Sequence, residues 1–377
     1  MTAIGRGTRA IWRTMVLVVL CAILASGLSA CSTPFSSSGR ESSTADACLD
    51  AYAVDRPVTT GVFVEPEDGV APLITELDAA RCTIDLAVYI LTDDRVISAL
   101  ERAIDRGVRV RVVLEEHPYG GSQDPEGVAQ RLRDLGASVQ WSDSAFQFTH
   151  AKYLVIDRET AIIMSLNLTR SAFSTNREFA VVTTEPTSVS QAQTIFDRDW
   201  GRDRKTVDGP LIVSPSTSRT RFLALIRGAT TSIDLYAEVI RDAEIMTALE
   251  EAVDRGIVVR LILNAPASED DQQAIDRLRP AGIQIRIATT YYIHAKLLLI
   301  DDTGVVIGSQ NYTATSLDDN RELAMWIEDP VLVQRCVAVY TRDWESSLAI
   351  STMTNVSPRS LVNAMTSALN ANQPLHG

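Results

Sequence analysis

Two histidines, each followed two residues later by a lysine, are the side chains of this sequence best suited to chemistry on an anion. They are His150 with Lys152 and His294 with Lys296, and both pairs fit the spacing His-x-Lys-x4-Asp. An imidazole can attack an electrophile or transfer a proton near neutral pH, and an ammonium group neutralises a bound anion. Two such pairs, if they meet, predict one site for a phosphodiester.

Short polar side chains follow each pair at the same distance. Ser165 and Asn167 follow the first histidine, and Ser309 and Asn311 occupy the matching positions after the second. The members of each Ser/Asn pair are two residues apart, so on an extended chain they share one face. We interpret these hydroxyls and amides as phosphate-binding groups.

Acidic residues also occur at matched positions. Eleven residues beyond each asparagine an Asn-Arg-Glu sequence ends in Glu178 or Glu322. A carboxylate behind an imidazole fixes its tautomer and stabilises its cation, and these two glutamates are candidates for that role. Asp157 and Asp301, which complete the His-x-Lys-x4-Asp pattern, either support the site or set the turn after an apolar strand. Both interpretations stay open.

The histidine motifs are part of a longer internal repeat. Asp-Arg-Gly at 105–107 recurs 149 residues later, whereas the histidines and the Asp-Trp pair at 199–200 recur after 144. The matching segments are about 64–200 and 213–344, which together make up most of the chain. The sequence therefore predicts two similar lobes, at 57–205 and 206–349, that together form one site, with a tail at 350–377.

Each repeat alternates predicted strands and helices. Apolar runs and period-two alternation predict strands, and helical spacing of apolar residues from Val96 to Ile104 predicts a helix that ends at Gly107. This alternation predicts an α/β fold, with mixed β-sheets flanked by helices in each lobe and a pseudo-two-fold axis between the lobes. The predicted strands are 84–90, 108–114, 138–141, 152–156, 161–164 and 179–182, and the further helices are 127–135 and 188–199.

The N-terminus has the pattern of a secretory signal over 1–30. Three arginines precede an apolar run at 15–25, and the segment ends in Leu-Ser-Ala-Cys31. That ending resembles the bacterial lipobox, which implies lipidation of Cys31, a flexible tether over 31–56 and an extracytoplasmic, lipid-anchored location at the cell membrane. An ordinary signal peptide, or an uncleaved anchor helix, is the alternative.

The charge balance disfavours a nucleic-acid protein. The formal net charge is -13, and the first thirty residues contribute three arginines and no acid. Binding to nucleic acid usually depends on an excess of lysine and arginine. A local positive pocket remains compatible with this composition.

The cysteines do not predict a metal site. None of the five lies in a Cys-x-x-Cys pair or in a Cys/His zinc spacing, so we expect neither a metal nor another cofactor. Export would permit a disulfide between Cys48 and Cys82, with Cys336 unpaired. Alternatively, Cys82 and Cys336 are small buried apolar residues.

The duplicated motifs resemble those of the phospholipase D superfamily. The resemblance implies an active site between two lobes and a phosphohistidine intermediate formed without metal. In many members the first-motif histidine is the nucleophile, which favours His150. One departure is Met164, which stands where the family often has glycine and where the second copy has Gly308; its side chain either narrows the pocket or turns into the core. The resemblance assigns catalysis to His150 and His294, phosphate binding to Lys152, Lys296, Asn167 and Asn311, and assistance to Ser165 and Ser309.

The leading interpretation is a phospholipase D or phosphatidyltransferase that acts on a phospholipid or another phosphodiester. A lipid anchor would hold the site close to a membrane substrate. The alternatives are an exported endonuclease, a cardiolipin-synthase-like phosphatidyltransferase and a binding protein without catalysis. Because one chain supplies both halves of the site, we expect a monomer.

Overall fold

The computed structural model of the protein describes residues 38–52, 57–119 and 124–350. The predicted signal segment, Cys31 and the predicted tail beyond residue 350 lie outside these residues. None of the described helices has the length and apolar character needed to cross a membrane.

Helices and strands alternate along the described chain. The helices are α1 (Ser38–Tyr52), α2 (Ala71–Ala79), α3 (Asp94–Asp105), α4 (Pro125–Asp134), α5 (Pro186–Gly201), α6 (Ser218–Gly228), α7 (Ala243–Asp254), α8 (Glu269–Leu278), α9 (Ala314–Asp318) and α10 (Pro330–Ser346). The strands are β1 (Thr60–Glu65), β2 (Thr83–Val88), β3 (Arg109–Leu114), β4 (Ser138–Trp141), β5 (Tyr153–Ile156), β6 (Thr160–Met164), β7 (Asn176–Thr183), β8 (Ile212–Ser214), β9 (Ser232–Ala237), β10 (Val258–Leu263), β11 (Gln284–Ile287), β12 (Tyr292–Ile293), β13 (Lys296–Ile300), β14 (Gly304–Gly308), β15 (Glu322–Ile327) and β16 (Leu348–Ala349).

The strands form two mixed sheets with the same order. In the first sheet the order is β1-β7-β6-β5-β2-β3-β4, and the second repeats it as β8-β15-β14-β13-β9-β10-β11 with β16 added at the edge. Along each of these orders three neighbouring strands are parallel and the other pairings are antiparallel. The short β12 adds a parallel pairing to β7 of the first sheet. The predicted α/β fold with two similar lobes is therefore confirmed. The lobe boundaries at 205 and 206 stay predictions.

Three apolar cores hold the molecule together. One core lies within each lobe and includes the buried residues of α2 and α3 or of α6 and α7. The third core joins the lobes and contains residues of both sheets and of α5 and α10, among them Tyr153, Phe179 and Tyr236. Because this central core is shared, the two lobes pack as one unit.

Helix α3 shows how the sequence sets its own element boundaries. The Asp93 side chain accepts a hydrogen bond from the Arg95 backbone and caps the first turn, and Val96, Leu100 and Ala103 are buried. Gly107 follows the helix with φ +89°, a conformation that glycine adopts without strain. The predicted helix and its glycine end are confirmed.

The segment expected to be a flexible tether is partly helical. Helix α1 lies inside the predicted tether of 31–56, and Cys48 on this helix forms a disulfide with Cys82 of lobe 1. The buried Ala45 also packs this helix against the lobe. Of the two alternatives for these cysteines, the structure has the disulfide, and Cys336 is free and buried. The expectation of a continuous flexible tether is therefore corrected.

Two arginine–aspartate ion pairs cross between the lobes. The fully buried Arg177 of lobe 1 donates to Asp343 of lobe 2, with Nε 2.6 Å from Oδ2 and Nη2 3.1 Å from Oδ1. At the matching positions Arg321 of lobe 2 lies 3.0 Å from Asp199 of lobe 1. Both arginines come from the Asn-Arg-Glu sequences. These pairs therefore fix the lobes close to the predicted site.

We expect Arg177→Ala to destabilise the protein by about 3–5 kcal/mol, because it removes the buried guanidinium that pairs with Asp343 across the lobes. The same guanidinium also binds Glu67 and the Glu65 carbonyl, and those contacts are lost with it. Urea denaturation followed by circular dichroism measures the loss. Arg102→Ala is the matched control, because Arg102 also binds an aspartate with two hydrogen bonds but is half-exposed. This control should cost less than about 1 kcal/mol. Equal losses for both variants would contradict a special contribution of the crossed pair.

Candidate active site

The two histidine segments lie where the lobes meet, and each is hydrogen-bonded to the opposite lobe. The backbone N–H groups of His150 and Ala151 donate to the Arg321 carbonyl, at 2.9 and 2.8 Å. The His294 N–H donates to the Arg177 carbonyl at 3.3 Å, and β12, just before it, pairs with β7 of the first sheet. The backbone therefore places each histidine against the Asn-Arg-Glu segment of the other repeat.

The carboxylates that contact the imidazoles are exchanged between the lobes. His150 Nδ1 lies 3.0 and 2.9 Å from the two carboxylate oxygens of Glu322. His294 Nδ1 lies 2.6 Å from Glu178 Oε1, although neither atom has a well-aligned hydrogen bond. Both glutamates are fully buried. Each histidine thus depends on a carboxylate from the repeat that does not contain it.

Contacts around His150 favour a neutral imidazole with a free Nε2. Burial is the largest cause that lowers the pKa of His150, to about 4, and the nearby Lys152 charge adds to it, against the opposing effect of Glu322. Burial acts to raise the pKa of Glu322, but its contact and hydrogen bond with His150 and the positive charge of Lys152 outweigh burial and hold that pKa below its usual value. An ionised Glu322 accepts the Nδ1 proton. The lone pair of Nε2 is then available for attack.

Glu322 accepts more hydrogen bonds from side chains around it than Glu178 does. Its Oε1 accepts hydrogen bonds from Ser316 Oγ at 2.5 Å and from Asn320 Nδ2 at 3.0 Å. In the first repeat an alanine, Ala172, stands at the position of Ser316. The buried Glu65 lies directly opposite Glu178 on β1, and burial raises the pKa of Glu65 to about 8. The two half-sites therefore differ behind the histidines.

The two lysines are buried and close enough to affect one another. Lys152 Nζ donates to the His150 carbonyl at 2.5 Å, and Lys296 Nζ donates to the His294 carbonyl at the same distance. Burial is the main cause that lowers the pKa of Lys152, and the positive charge of Lys296 lowers it further. Two cations in one buried site would favour a bound anion.

The serines and asparagines lie beside these groups. Ser165 Oγ donates to Glu178 Oε2 at 2.5 Å, and Ser309 Oγ accepts the Leu323 N–H. The amide oxygens of Asn167 and Asn311 are buried and have no hydrogen-bond partner within the described chain. In this structure the serines position backbone and carboxylate, and the asparagines have free hydrogen-bonding capacity. Their phosphate-binding roles stay predictions.

The motif aspartates lie at turns and not at the site. Asp157 has φ +53° and accepts backbone N–H groups of Arg81, Cys82 and Thr83. Asp301 has φ +55° and accepts the N–H groups at 230–232 in the same way. Between the two interpretations, the structure favours the turn.

Met164 turns into the core of lobe 1. It is buried among the apolar residues of that lobe and sits opposite Ala180 on β7. At the matching position an added Cβ on Gly308 would lie 2.2 Å from the Ala324 Cβ. The methionine therefore belongs to packing, and the alternative that it narrows the pocket is wrong.

The structure shows four residues that position the site and that were not predicted from the sequence. They occupy two pairs of matched positions in the repeats. Glu115 Oε2 accepts the Thr149 N–H at 2.7 Å, and Asn264 binds both backbone groups of Ile293, at 2.7 and 2.8 Å. Each holds the residue just before a histidine. The other two are Tyr89, whose ring contacts His150, and Glu238, which binds Lys296. Both pairs lie 149 residues apart, so the repeat offset was the signal that could have found them.

The described residues contain no cluster of three or more His, Cys, Asp or Glu side chains arranged to hold a metal ion.

Comparisons with known proteins agree with this geometry. A family model described as "Cardiolipin synthase, PLD-like domain" matches residues 73–200 and 222–344. A mitochondrial cardiolipin hydrolase from Danio rerio is 29% identical over 133 residues, covering 35% of this chain and 59% of the hydrolase. The chain thus spans about three fifths of the length of that relative. A cardiolipin synthase from Geobacillus kaustophilus is 24% identical over 80% of this chain and 69% of its own length.

The fold is also similar to a solved structure of low sequence identity. Phosphatidylserine synthase from Haemophilus influenzae superposes with a TM-score of 0.63 and 10% identity, covering 88% of this chain and 98% of that one. The match supports the two-lobed fold. The two copies of the family domain, together with the duplicated motifs, show that the chain belongs to the phospholipase D-like family that includes the cardiolipin synthases.

Proposed function

We propose that the protein is a phosphodiesterase of the phospholipase D type, which cleaves or transfers phosphatidyl groups through a phosphohistidine intermediate. The observation that carries this proposal is the crossed pairing of two histidines with two buried glutamates, beside two buried lysines. Each histidine has one ring nitrogen directed at a carboxylate. The opposite nitrogen can then serve in chemistry.

Binding of the substrate uses the buried cations. The non-bridging oxygens of a phosphodiester accept hydrogen bonds from Lys152 and Lys296, and the side-chain Nδ2 groups of Asn167 and Asn311 can donate further ones. Among the residues that the structure describes, Lys152 has no carboxylate within ion-pair distance, and its ammonium contacts the His150 carbonyl and the face of the Tyr89 ring. A bound phosphate would compensate this charge.

In the first chemical step His150 attacks phosphorus through Nε2. The bond between phosphorus and the leaving oxygen breaks as the phosphorus–nitrogen bond forms, and Glu322 stabilises the positive charge that develops on the imidazole. His294 donates a proton to the leaving alcohol. The neutral state of His150 and its well-aligned Glu322 support this division of roles.

The second step releases the phosphatidyl group. His294, now neutral, takes a proton from water or from an acceptor alcohol. The resulting oxygen nucleophile attacks phosphorus, and the bond to His150 breaks. Water gives a phosphomonoester, whereas an alcohol gives a new diester. The same residues therefore serve hydrolysis and transfer.

A phospholipid is the substrate class that we propose. The Danio rerio hydrolase acts, by its name, on cardiolipin, and the synthases named above make, by their names, phospholipids. The acidic composition of the chain disfavours a long polyanion as substrate. An exported endonuclease and a cardiolipin-synthase-like transferase are the alternatives.

The two histidine variants should differ on bis(p-nitrophenyl) phosphate, because p-nitrophenol leaves without protonation. We expect His294→Ala to release a burst of about one equivalent and then to turn over about a thousandfold more slowly, because the intermediate cannot be hydrolysed. His150→Ala should give no burst. Stopped-flow absorbance measures both, and quenching in alkaline denaturant should trap the phosphorylated histidine, whose phosphorus–nitrogen bond is labile in acid.

A burst from His150→Ala and none from His294→Ala would reverse the assigned roles, and rapid turnover by both variants would refute the mechanism.

Turnover by the intact protein should persist in a chelator, and full loss of turnover there would refute a mechanism without metal. A parallel assay of the intact protein on phosphatidylcholine, phosphatidylglycerol and single-stranded DNA decides the substrate class. Cleavage of DNA alone would favour the endonuclease.

The lowered pKa of His150 also predicts how the activity falls at acidic pH. His150 acts as the unprotonated base, so a pKa lowered to about 4 keeps it active at more acidic pH than a solvent-exposed histidine. We expect kcat/KM for bis(p-nitrophenyl) phosphate to fall only as the pH approaches about 4. An acid limb centred at the ordinary histidine value of about 6.5 would contradict a buried neutral nucleophile.

We further propose that the mature protein is an extracytoplasmic lipoprotein anchored through Cys31. The lipobox-like Leu-Ser-Ala-Cys31 after an apolar segment supports this proposal. In a bacterial host Cys31→Ser should move the protein from the membrane fraction to the soluble exported fraction. Fractionation and immunoblotting measure the change. Unaltered membrane retention would favour an uncleaved anchor helix.

A further inference from the structure

The residue at the end of β2 and its counterpart after β9 differ in chemistry. Tyr89 packs its ring edge against His150, with ring centroids 4.7 Å apart. Glu238 stands at the same position of the second repeat, 149 residues later. One half-site thus has an aromatic wall, and the other has a carboxylate.

Glu238 lies where a phosphate oxygen is expected. Its Oε2 accepts a hydrogen bond from Lys296 Nζ at 2.6 Å and lies 3.6 Å from His294 Nε2. Those two atoms are the phosphate-binding cation and the proton-donating nitrogen of the proposed mechanism. Glu238 remains anionic, because the charges of His294 and Lys296 outweigh the effect of burial and lower its pKa strongly. A bound diester must therefore share Lys296 with this carboxylate.

Glu238 also lines a cleft of about 270 Å³. Tyr292 forms part of its wall and donates a hydrogen bond from its hydroxyl to Glu238 Oε1 at 3.2 Å. Arg241 also lines the cleft, but its guanidinium is already bound by Asp271 and Ser268. Glu238 is therefore the charged group that faces both the cleft and the reacting atoms.

The position beside His294 identifies which part of the substrate enters the cleft. In the proposed mechanism His294 protonates the leaving oxygen, so the leaving alcohol lies on the side of Glu238. When a phosphate oxygen binds Lys296, the partly buried Glu238 carboxylate shares its cation with the phosphate. A carboxylate in a largely desolvated position that is only partly neutralised would gain from a second cation, and a cation on the leaving alcohol supplies it. Tyr292 adds an aromatic surface that also suits an ammonium group.

We propose that the cleft beside Glu238 binds the ammonium group of a cationic leaving alcohol, and that Glu238 selects such substrates over those with a neutral or anionic alcohol. The inference rests on the proposed phosphodiesterase function and adds a substrate preference to it. A plain counter-ion for Lys296 would affect all substrates alike. Selectivity between headgroups is therefore the property that separates the two roles.

The test compares Glu238→Gln with the intact protein on phosphatidylcholine, phosphatidylethanolamine and phosphatidylglycerol in neutral detergent micelles. We expect the intact protein to prefer the two cationic headgroups, and the variant to lose about tenfold or more of that preference in kcat/KM. Glu269→Gln is the matched control, because Glu269 is exposed near the cleft and does not line it. Its preference should equal that of the intact protein.

A second measurement does not depend on folding of the variant. Choline should inhibit hydrolysis of bis(p-nitrophenyl) phosphate by the intact protein, and ethylene glycol at the same concentration should not. Equal headgroup ratios for the intact protein and Glu238→Gln, or equal inhibition by the two alcohols, would overturn the inference while turnover of the nitrophenyl ester sustains the proposed function. Absence of that turnover would overturn the function itself.

Discussion

Each catalytic half of this protein depends on a carboxylate from the other half. His150 contacts Glu322 and His294 contacts Glu178, so neither repeat contains a complete histidine–carboxylate pair. The same Asn-Arg-Glu segments supply the arginines of the crossed ion pairs, and their carbonyls accept the N–H groups of the histidine segments. Three kinds of interaction thus converge on the lobe interface. Any relative shift of the lobes would move both imidazoles away from their carboxylates.

The duplicated scaffold carries two unequal half-sites. Glu322 accepts hydrogen bonds from His150, Ser316 and Asn320. The charge of Lys152 also helps to keep it ionised behind the neutral His150. On the other side His294 lies between two carboxylates, those of Glu178 and Glu238. A neutral imidazole suits a nucleophile, and an imidazole beside two anions suits a proton donor. The repeat therefore provides symmetry of position, while substitutions at matched positions provide the difference in role.

The cores explain why the site can be both buried and rigid. The central core joins both sheets with α5 and α10 directly below the histidine strands, and Tyr153 and Tyr236 are fully buried there. The outer cores take up the other face of each sheet, including Met164. Substitutions in the outer cores can therefore be tolerated without reaching the reacting groups, as the methionine in place of glycine illustrates.

The sequence by itself determined the α/β class, the duplication and the chemistry of the motif, because strand periodicity, repeat offset and residue type are local properties. It identified Glu178 and Glu322 as carboxylates for the histidines. Only the tertiary structure decided that each glutamate serves the histidine of the opposite lobe, because lobe packing joins residues 172 positions apart. It likewise decided that Asp157 closes a turn and that Glu238 meets Lys296. Such contacts depend on where strands end relative to one another, which no local pattern records.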